Sequence, residues 1–306
     1  MPVDRPCPIC QIQETESIWK TQVFRDHPLR IVICRRCALV YANPMYTDQE
    51  KHAIAGTPRE VHRARLATHS LDTARRRMVP RAERCMSLLS RFVQPNQRVL
   101  EIGCGEGTLL ELLKGYGAKV TGVEMDPEGA EYVRERLGVQ VSVGRFEELT
   151  LSERFDAVAS VHVIEHVFDP VEALSRMRRL LKPSGILFLE TPNILRPKVG
   201  PTRLFNLPHN YYFSPASLAR CLDAAGFDSA YVRVFNRDSF QIVARPRAAG
   251  GKSRRPQQED WREVAATIRQ YALKYYLSGQ FLWRKLPLVK NAWMYRIHRD
   301  VQAKSA

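Results

Sequence analysis

The chain has 306 residues, of which 44% are hydrophobic and 26% are charged, as is typical of a soluble globular protein. No window approaches the roughly 20 uncharged apolar residues that a transmembrane helix needs. The opening MPVDRPCPIC also lacks the apolar core of an export signal, so we expect a cytoplasmic protein.

The formal net charge of +15 is concentrated at the C-terminal end of the chain. Residues 231–306 contain 16 Lys and Arg against 5 Asp and Glu, whereas residues 81–230 contain 18 against 19. A basic end of this kind favours an anionic partner, either RNA or a membrane surface at which the protein would be peripheral. The alternative is a solvated tail that serves solubility.

Four of the seven cysteines form two CxxC pairs, Cys7 with Cys10 and Cys34 with Cys37. Four thiolates at this spacing close one tetrahedral zinc site and leave no open coordination position, so the predicted zinc is structural. The residues between the pairs alternate like two strands. We therefore predict a zinc-ribbon domain over residues 1–50, in which the metal supplies folding energy to a thin core. The other cysteines are expected to be small buried residues.

A basic helical stretch over residues 62–93 follows the ribbon and is expected to break or kink at Pro80. We assign residues 51–94 to a linker and to packing helices.

Strands then alternate with helices of about ten residues, which predicts right-handed βαβ units and a parallel sheet. The predicted strands are 98–102, 119–123, 139–143, 156–161 and 185–190, and the predicted helices are 106–115, 127–137 and 170–181. Two further strands, 228–235 and 239–244, are close enough in sequence to pair antiparallel at the sheet edge. The predicted fold is a doubly wound, Rossmann-like α/β sheet of seven strands over residues 95–246.

The C-terminal part of the chain divides into a flexible linker, 247–260, and a basic, aromatic, helical extension, 261–306. Its aromatic residues alternate with Lys and Arg, as they do in helices that lie at a membrane interface. The same pattern is expected of a helical hairpin that packs on the rest of the protein.

A glycine-rich turn, Gly103, Gly105 and Gly107, stands between the first predicted strand and its helix. Bare backbone there allows a ligand to approach closely. Glu124, at the end of the next strand, is placed to accept hydrogen bonds from both ribose hydroxyls of an adenosine cofactor.

The spacing of these glycines distinguishes between cofactors. The dinucleotide fingerprint is G-x-G-x-x-G, whereas this turn reads G-x-G-x-G and is preceded by the acidic Glu101. A carboxylate aimed at the loop suits a ligand with a cationic amino-acid end. The turn therefore favours S-adenosylmethionine over NAD.

Several motifs in order resemble those of the class I S-adenosylmethionine-dependent methyltransferases. They are VLEIGCGEGTLLELL, VTGVEMD, FDAVASVHVIEHVFDPVEAL, RRLLKPSGILFLETPN and FSPASLARCLDAAGF. The resemblance covers about residues 95–245 and is strongest to the branch of quinone O-methyltransferases and sugar C-methyltransferases. Many members of this wider group also begin with a CxxC ribbon.

The resemblance implies a role for each part of the cofactor site. The three glycines approach the cofactor, Glu101 lies near its methionine end, and Glu124, followed by Met125, binds the ribose. Relatives carry an Asp after the third strand that holds the adenine amine, but this chain reads VGRFEEL there. We expect Phe146 to flank the adenine ring, and Glu147 or a backbone group to bond the amine.

The segment after the fourth strand supplies His162, Glu165 and His166 beside the cofactor, and we expect His162 to contact it. Quinone O-methyltransferases carry a Glu at the position of His162, where it supports a divalent metal, so this substitution weakens the expectation of a catalytic metal. Glu165 and His166 are candidate catalytic residues. Alternatively, they only hydrogen-bond a helix start and the loop after the fifth strand.

The segment FNLPHNYYFSP resembles the acceptor segment of the sugar C-methyltransferases, with His209 matching a proposed general base. A Tyr of that segment is replaced by Asn206, which favours methylation of oxygen or nitrogen over carbon. The three aromatic residues that follow are expected either to pack in the core or to contact the acceptor.

We therefore expect a methyltransferase for a small-molecule acceptor, such as a sugar, a natural product, a quinone-like compound or a lipid-linked compound. An RNA methyltransferase is the alternative, because some of these also combine a zinc ribbon with this fold and the C-terminal end is basic. A non-catalytic binding module is a third hypothesis, which the complete glycine turn disfavours.

Overall fold

The computed structural model describes residues 4–23, 27–55, 70–235, 238–253 and 256–278, and each structural statement below concerns these residues. The N-terminal elements are β1 (Thr15–Val23), β2 (His27–Cys34), β3 (Val40–Ala42), α1 (Asp48–Ala55) and α2 (Leu71–Leu89). The central elements are β4 (Arg98–Ile102), α3 (Thr108–Gly115), β5 (Lys119–Glu124), α4 (Pro127–Leu137), β6 (Gln140–Val143), β7 (Phe155–Val161), α5 (Pro170–Arg179) and β8 (Leu181–Pro192). The last elements are α6 (Pro201–Leu204), β9 (Tyr211–Tyr212), α7 (Pro215–Ala224), β10 (Phe227–Val234), β11 (Ser239–Pro246) and α8 (Trp261–Leu277).

The larger sheet has seven strands in the order β10-β11-β8-β7-β4-β5-β6. The strands from β8 to β6 are parallel, and β11 runs antiparallel to both of its neighbours. This arrangement confirms the predicted doubly wound sheet and its antiparallel edge. From β4 the chain adds β5 and β6 on one side, and it then returns to add β7 and β8 on the other side of β4. The topological switch point therefore lies between the neighbouring strands β4 and β7, whose carboxyl ends flank the crevice where such sheets bind ligands.

The central strands β7 and β8 are apolar over most of their length because helices cover both faces of a parallel sheet. Phe155 and Phe188 are fully buried and belong to two separate clusters of the core. The carboxyl ends of these strands are the exception, since polar side chains are buried there. Glu190 is 0% exposed although it lies in an otherwise apolar run.

Helix α2 continues through Pro80 to Leu89, so the helix does not break at this proline, and a kink there stays a prediction. A proline inside a helix removes one backbone hydrogen bond and costs about 3 kcal/mol. The face that α2 buries against the sheet, which includes Cys85 and Leu88, offsets this cost. The first part of the predicted helical stretch, residues 62–69, lies outside the described residues.

The smaller sheet has the order β1-β2-β3-β9, and its last strand comes from a distant part of the chain. Strands β1 and β2 form the predicted hairpin between the CxxC pairs. Val40 and Tyr41 of β3 pair with Tyr212 and Tyr211 of β9. The ribbon sheet is therefore completed by residues that follow β8 of the large sheet in the chain.

Helix α8 packs on the ribbon rather than standing apart from it. Its buried residues are Val264, Ala265 and Ile268, and they share a cluster with Ile31 and Ile33 of β2. The Tyr271 hydroxyl donates a hydrogen bond to the Val199 carbonyl (3.0 Å). The described part of the extension is thus one helix docked on the ribbon. The rest of the predicted hairpin falls on residues 279–306, which lie outside the described residues.

Among the described residues, no helix combines the length and the apolar content that a bilayer crossing requires.

Candidate active site

The glycine turn joins β4 to α3 in a left-handed backbone conformation. Gly103 has a φ of 74°, Gly105 a φ of 51° and Gly107 a φ of 72°. A Cβ atom on Gly103 would lie 2.4 Å from Cγ2 of Val163, which follows β7. The turn therefore requires glycine at position 103 for two reasons, namely its backbone conformation and the close approach of the neighbouring segment.

Glu101 lies at the carboxyl end of β4 and is 4% exposed. Its Oε2 atom is buried and accepts no hydrogen bond from the described residues. Burial raises the pKa of this carboxyl well above its usual range, and the charge of Glu124 raises it further. A buried oxygen without a donor costs free energy unless a ligand supplies one, so Glu101 indicates a binding site for a cationic group.

A cavity of about 130 Å³ lies between this carboxylate, the glycine turn and helix α2. Its lining residues are Met78, Arg81, Ala82, Cys85, Glu101, Gly103, Cys104, Gly105, Glu106, Thr108, Leu109 and Val161. Helix α2 and the glycine turn therefore both line this cavity.

Glu124, at the end of β5, accepts hydrogen bonds from backbone N–H groups through both of its carboxylate oxygens. Its Oε2 atom accepts a hydrogen bond from the Gly105 N–H (2.7 Å), and Oε1 accepts from Met125 and Asp126 (2.8 and 3.0 Å). These bonds fix the carboxylate beside the glycine turn, and a carboxylate oxygen has further lone pairs for ligand hydroxyls. The position agrees with the one that the resemblance implies for a ribose-binding residue.

The other residues expected to contact the cofactor follow β5 and β6. Met125 is 44% exposed, whereas Phe146 is 6% exposed and packs in the core. The Glu147 carboxylate forms an ion pair with Arg145 (3.1 Å). The structure places all three near the carboxyl edge of the sheet, and their contacts with the cofactor stay a prediction.

The second polar cluster lies at the ends of β7 and β8. The His162 ring stands between two buried carboxylates, with Nδ1 3.3 Å from Glu165 Oε1 and Nε2 3.6 Å from Glu190 Oε1. Burial alone would disfavour a charged ring, but the two carboxylates outweigh it and raise the pKa of His162 to about 9. Burial likewise opposes ionisation of Glu165, and its bond with His162 prevails and lowers the pKa of Glu165 to about 2.

Glu190 is a site residue that the sequence analysis did not identify. Gln241 donates a hydrogen bond to its Oε2 atom (2.7 Å), and the guanidinium groups of Arg81 and Arg84 lie 3.6 and 3.8 Å from Oε1. The sequence feature that could have identified Glu190 is the stretch FLETPN, in which an acidic residue stands at the carboxyl end of an apolar strand. Gln241 and the two arginines come from other elements, which only the tertiary structure brings to this point.

Glu165, His166 and His209 offer ligand atoms that all lie within 4.8 Å of one another. The two imidazole rings are in edge contact, with centroids 4.7 Å apart. The Thr191 hydroxyl donates a hydrogen bond to Oε2 of Glu165 (3.0 Å), whereas Oε1 lies 3.3 Å from His162 Nδ1 and accepts no hydrogen bond from the described residues. The cluster therefore has donor atoms both for proton transfer and for a metal ion.

His209 stands at the rim of this cluster and differs from His162 in charge. Burial and, to a smaller extent, the neighbouring His166 lower the pKa of His209 to about 4. The ring is therefore neutral near pH 7 and available as a hydrogen-bond acceptor. One sequence thus provides one cationic and one neutral imidazole at the same edge of the sheet.

The aromatic residues after His209 pack in the core. Tyr211, Tyr212 and Phe213 are at most 4% exposed. The Tyr211 hydroxyl donates to the Phe168 carbonyl (2.9 Å), and its ring stacks on Tyr41 of the ribbon. Packing is therefore the role that the structure supports for them, and it fixes the position of His209.

The four predicted zinc ligands converge at one point. Cys7 Sγ lies 3.4 Å from Cys37 Sγ, and Cys10 Sγ lies 3.4 Å from Cys34 Sγ. Four thiolates around a tetrahedral zinc at about 2.3 Å are about 3.8 Å apart, so this donor set fits zinc. The distances are too long for disulfide bonds.

Comparisons with known proteins agree with this geometry. The family model described as "Methyltransferase domain" matches residues 75–232. The Ubiquinone biosynthesis O-methyltransferase of Haemophilus ducreyi is 36% identical over 108 residues, which are 32% of this chain and 46% of that protein. The enzyme of the same name from Xanthomonas campestris is 37% identical over 111 residues, covering 34% and 46%. The chain thus spans about half the length of the curated relatives that it matches.

Solved structures share the fold. A chain in the structure of the Haloferax volcanii complex of the methyltransferase activator Trm112 superposes with a TM-score of 0.50 and 18% identity. The match covers 57% of this chain and 95% of that chain. At this identity the likeness shows a common fold alone.

The glycine turn generates a prediction about two alanine substitutions. Gly103→Ala and Gly105→Ala both force a side chain into left-handed backbone, at about 1–2 kcal/mol each. Only Gly103→Ala also meets Val163, whereas no atom lies within 4 Å of a Cβ on Gly105. We expect urea unfolding to show a clearly larger loss of stability for Gly103→Ala, of which Val163→Ala in the same chain restores part. Equal losses for both substitutions would contradict the described geometry.

Proposed function

The chain belongs to the methyltransferase-domain family, and we propose that it transfers the methyl group of S-adenosylmethionine to a small-molecule acceptor. The observation that carries the proposal is Glu101, a buried carboxylate with an unpartnered oxygen beside a left-handed glycine turn. This site suits the cationic amino-acid end of S-adenosylmethionine, and NAD has no such group. The ubiquinone-biosynthesis relatives support an acceptor of the small-molecule class.

S-adenosylmethionine, when bound, supplies an electrophilic methyl group on a sulfonium centre. The protein then has two tasks, which are to hold the acceptor in line with that group and to accept a proton where the acceptor atom carries one. Glu101 pairs with the cofactor's ammonium, which favours its ionised form and offsets the effect of burial. Glu124 accepts hydrogen bonds from the ribose hydroxyls, as the resemblance implies.

His209 is the residue we propose for the proton. Its ring is neutral at pH 7, so it accepts the proton of an acceptor hydroxyl or amine as the new bond to the methyl carbon forms. The charge of Glu165 favours the imidazolium that results. His162, which lies between Glu165 and Glu190, holds the Glu165 carboxylate in place. Asn206 stands where the sugar C-methyltransferases carry a Tyr, which favours oxygen or nitrogen as the methylated atom.

The role of Glu101 predicts opposite effects of Glu101→Gln on stability and on binding. The pKa of the carboxyl in the folded chain lies above its ordinary value of 4.5, so its contribution to stability is lost as pH rises above 4.5 toward the folded pKa. At pH 7 we expect Glu101→Gln to raise Tm by about 2–4 °C, a gain that disappears near pH 4.5. Binding of S-adenosylhomocysteine, measured by calorimetry, should weaken at least about tenfold.

The control is Glu153→Gln, since this side chain is 49% exposed and lies at the opposite end of the sheet. It should leave binding unchanged. Unaltered affinity of Glu101→Gln for S-adenosylhomocysteine would remove Glu101 from the proposed cofactor site.

The role of His209 predicts a loss of turnover without a loss of cofactor affinity. Once an acceptor is known, we expect His209→Gln to lower kcat by about 10²- to 10⁴-fold, because the proton loses its acceptor. Wild-type kcat should hold between pH 7 and 5 and fall as pH approaches 4, where His209 becomes charged. Stopped assays with the radiolabelled methyl donor measure both effects, and unchanged turnover in His209→Gln would exclude this residue as the base.

We also propose that the ribbon holds one structural zinc ion through Cys7, Cys10, Cys34 and Cys37. The support is the convergence of the four sulfur atoms and the packing of three of these cysteines in the same core as Tyr211 and Phe213. Zinc would therefore stabilise both the ribbon and the segment that carries His209.

Metal analysis of the purified chain tests this proposal. We expect about one zinc per chain, lost in Cys34→Ser together with several degrees of Tm, because three sulfur atoms cannot close the site. Cys221→Ser is the matched control, as Cys221 is fully buried but outside the cluster, and it should retain the zinc. A zinc content below one tenth of an ion per wild-type chain would overturn the proposal.

A further inference from the structure

Helix α1 contacts both the turn after β6 and the segment that carries His209. At its first residue, Asp48 forms an ion pair with Arg145, in the turn after β6. One helical turn later, the Lys51 Nζ donates a hydrogen bond to Oδ1 of Asn210 (2.6 Å). The helix thus reaches from the cofactor side of the sheet to the segment that carries His209.

Asn210 is fixed so that its oxygen must face Lys51. Its side-chain nitrogen donates to the carbonyls of His166 and Val167 (2.8 and 3.0 Å), and its own N–H donates to the Glu165 carbonyl (2.9 Å). Because both amide hydrogens are engaged, the remaining polar atom of the 2% exposed side chain is the oxygen. The Lys51 ammonium is therefore positioned directly beside the catalytic cluster.

Lys51 has no counter-ion among the described residues. No carboxylate of this part of the chain lies within 4.0 Å of its Nζ, and Asn210, its hydrogen-bond partner, is neutral. The other cations of the site are paired, since Arg81, Arg84 and His162 all face Glu190. An ammonium that is largely withdrawn from water without a counter-ion costs free energy. The described residues occupy one of its three donors, which leaves two of them for another partner.

We propose that Lys51 binds an anionic group of the acceptor, a carboxylate or a phosphate, and thereby selects acidic acceptors. This inference rests on the proposed methyl transfer and specifies the substrate class of the same site. An acceptor held by its anion at Lys51 presents a neighbouring atom to His209, the residue that precedes Asn210 in the chain.

The charge state of Lys51 agrees with this role. Burial lowers the pKa of Lys51 to about 8, so that about nine tenths of the chains carry the charge at pH 7. The same charge contributes to keeping His209 neutral. An anion at Lys51 would restore the balance of charge in the cluster.

Calorimetry on the full chain saturated with S-adenosylhomocysteine tests the inference. The probes are 3,4-dihydroxybenzoate and catechol, which differ only in the carboxylate. We expect the wild-type chain to bind 3,4-dihydroxybenzoate at least tenfold more tightly than catechol. Lys51→Met should abolish this difference, Lys51→Arg should retain most of it, and Lys119→Met, an exposed lysine at the opposite edge of the sheet, should behave as wild type.

Competition with inorganic phosphate distinguishes the two sources of negative charge. Displacement of 3,4-dihydroxybenzoate by inorganic phosphate more readily than by acetate assigns a phosphate group to the acceptor, and the reverse assigns a carboxylate. Equal affinity of the wild-type chain for the two aromatic probes, including no binding of either, would overturn the inference. So would a preference that persists in Lys51→Met.

The S-adenosylhomocysteine titration that precedes each measurement separates the two proposals. If the wild-type chain and Lys51→Met bind S-adenosylhomocysteine equally and only the anion preference is missing, the inference about Lys51 fails and the methyltransferase proposal stands. If the wild-type chain does not bind S-adenosylhomocysteine, the methyltransferase proposal itself fails.

Discussion

Two residue pairs between β3 and β9 join the cysteine ribbon to the segment that carries His209, and the proposed acceptor side of the site depends on them. Tyr41 and Tyr211 pair along the backbone and also stack their rings. His209 and Asn210 directly precede this pairing, so their positions follow from it. The Ala42 N–H extends it by donating to the Asn210 carbonyl (2.9 Å). The ribbon is thus packed directly against the segment that carries His209, and a thin unit gains additional core there.

The same segment is held from two further sides. Phe205 packs against the Trp19 ring of β1, with centroids 5.6 Å apart, and Ser214 donates a hydrogen bond to Glu259, just before α8. Tyr275 of α8 lies so close to Gly200 that a Cβ there would come within 2.4 Å of its ring. Elements from both ends of the chain therefore contact the segment that carries His209, the residue proposed as the base.

Buried charge is the second constraint on the site. Glu101, Glu165 and Glu190 are all at most 4% exposed at one edge of the sheet, where burial disfavours three negative charges. His162 and the arginines of α2 compensate two of these charges, whereas Oε2 of Glu101 has no hydrogen-bond donor among the described residues. This distribution of charge suits a binding site, because the carboxylate that lacks a compensating charge lies where a cationic ligand is expected.

Much of the fold was predictable because its signals are local. The alternation of strands and helices over residues 98–190, the CxxC pairs and the glycine turn with Glu101 and Glu124 each occupy short stretches with a defined spacing. The acceptor side was less predictable, since β9 has only two residues and shows no periodicity. Lys51 and Asn210 are 159 residues apart, and no sequence pattern connects them. The continuation of α2 through Pro80 likewise depends on tertiary burial that overrides a local signal.

The most direct test of the central claim is a pair of calorimetric titrations of the wild-type chain, one with S-adenosylmethionine and one with NAD, under the same conditions. The buried carboxylate beside the glycine turn predicts saturable binding of one S-adenosylmethionine per chain and no measurable binding of NAD. Binding of NAD without binding of S-adenosylmethionine would contradict the assignment of the cofactor, and with it the proposed methyl transfer.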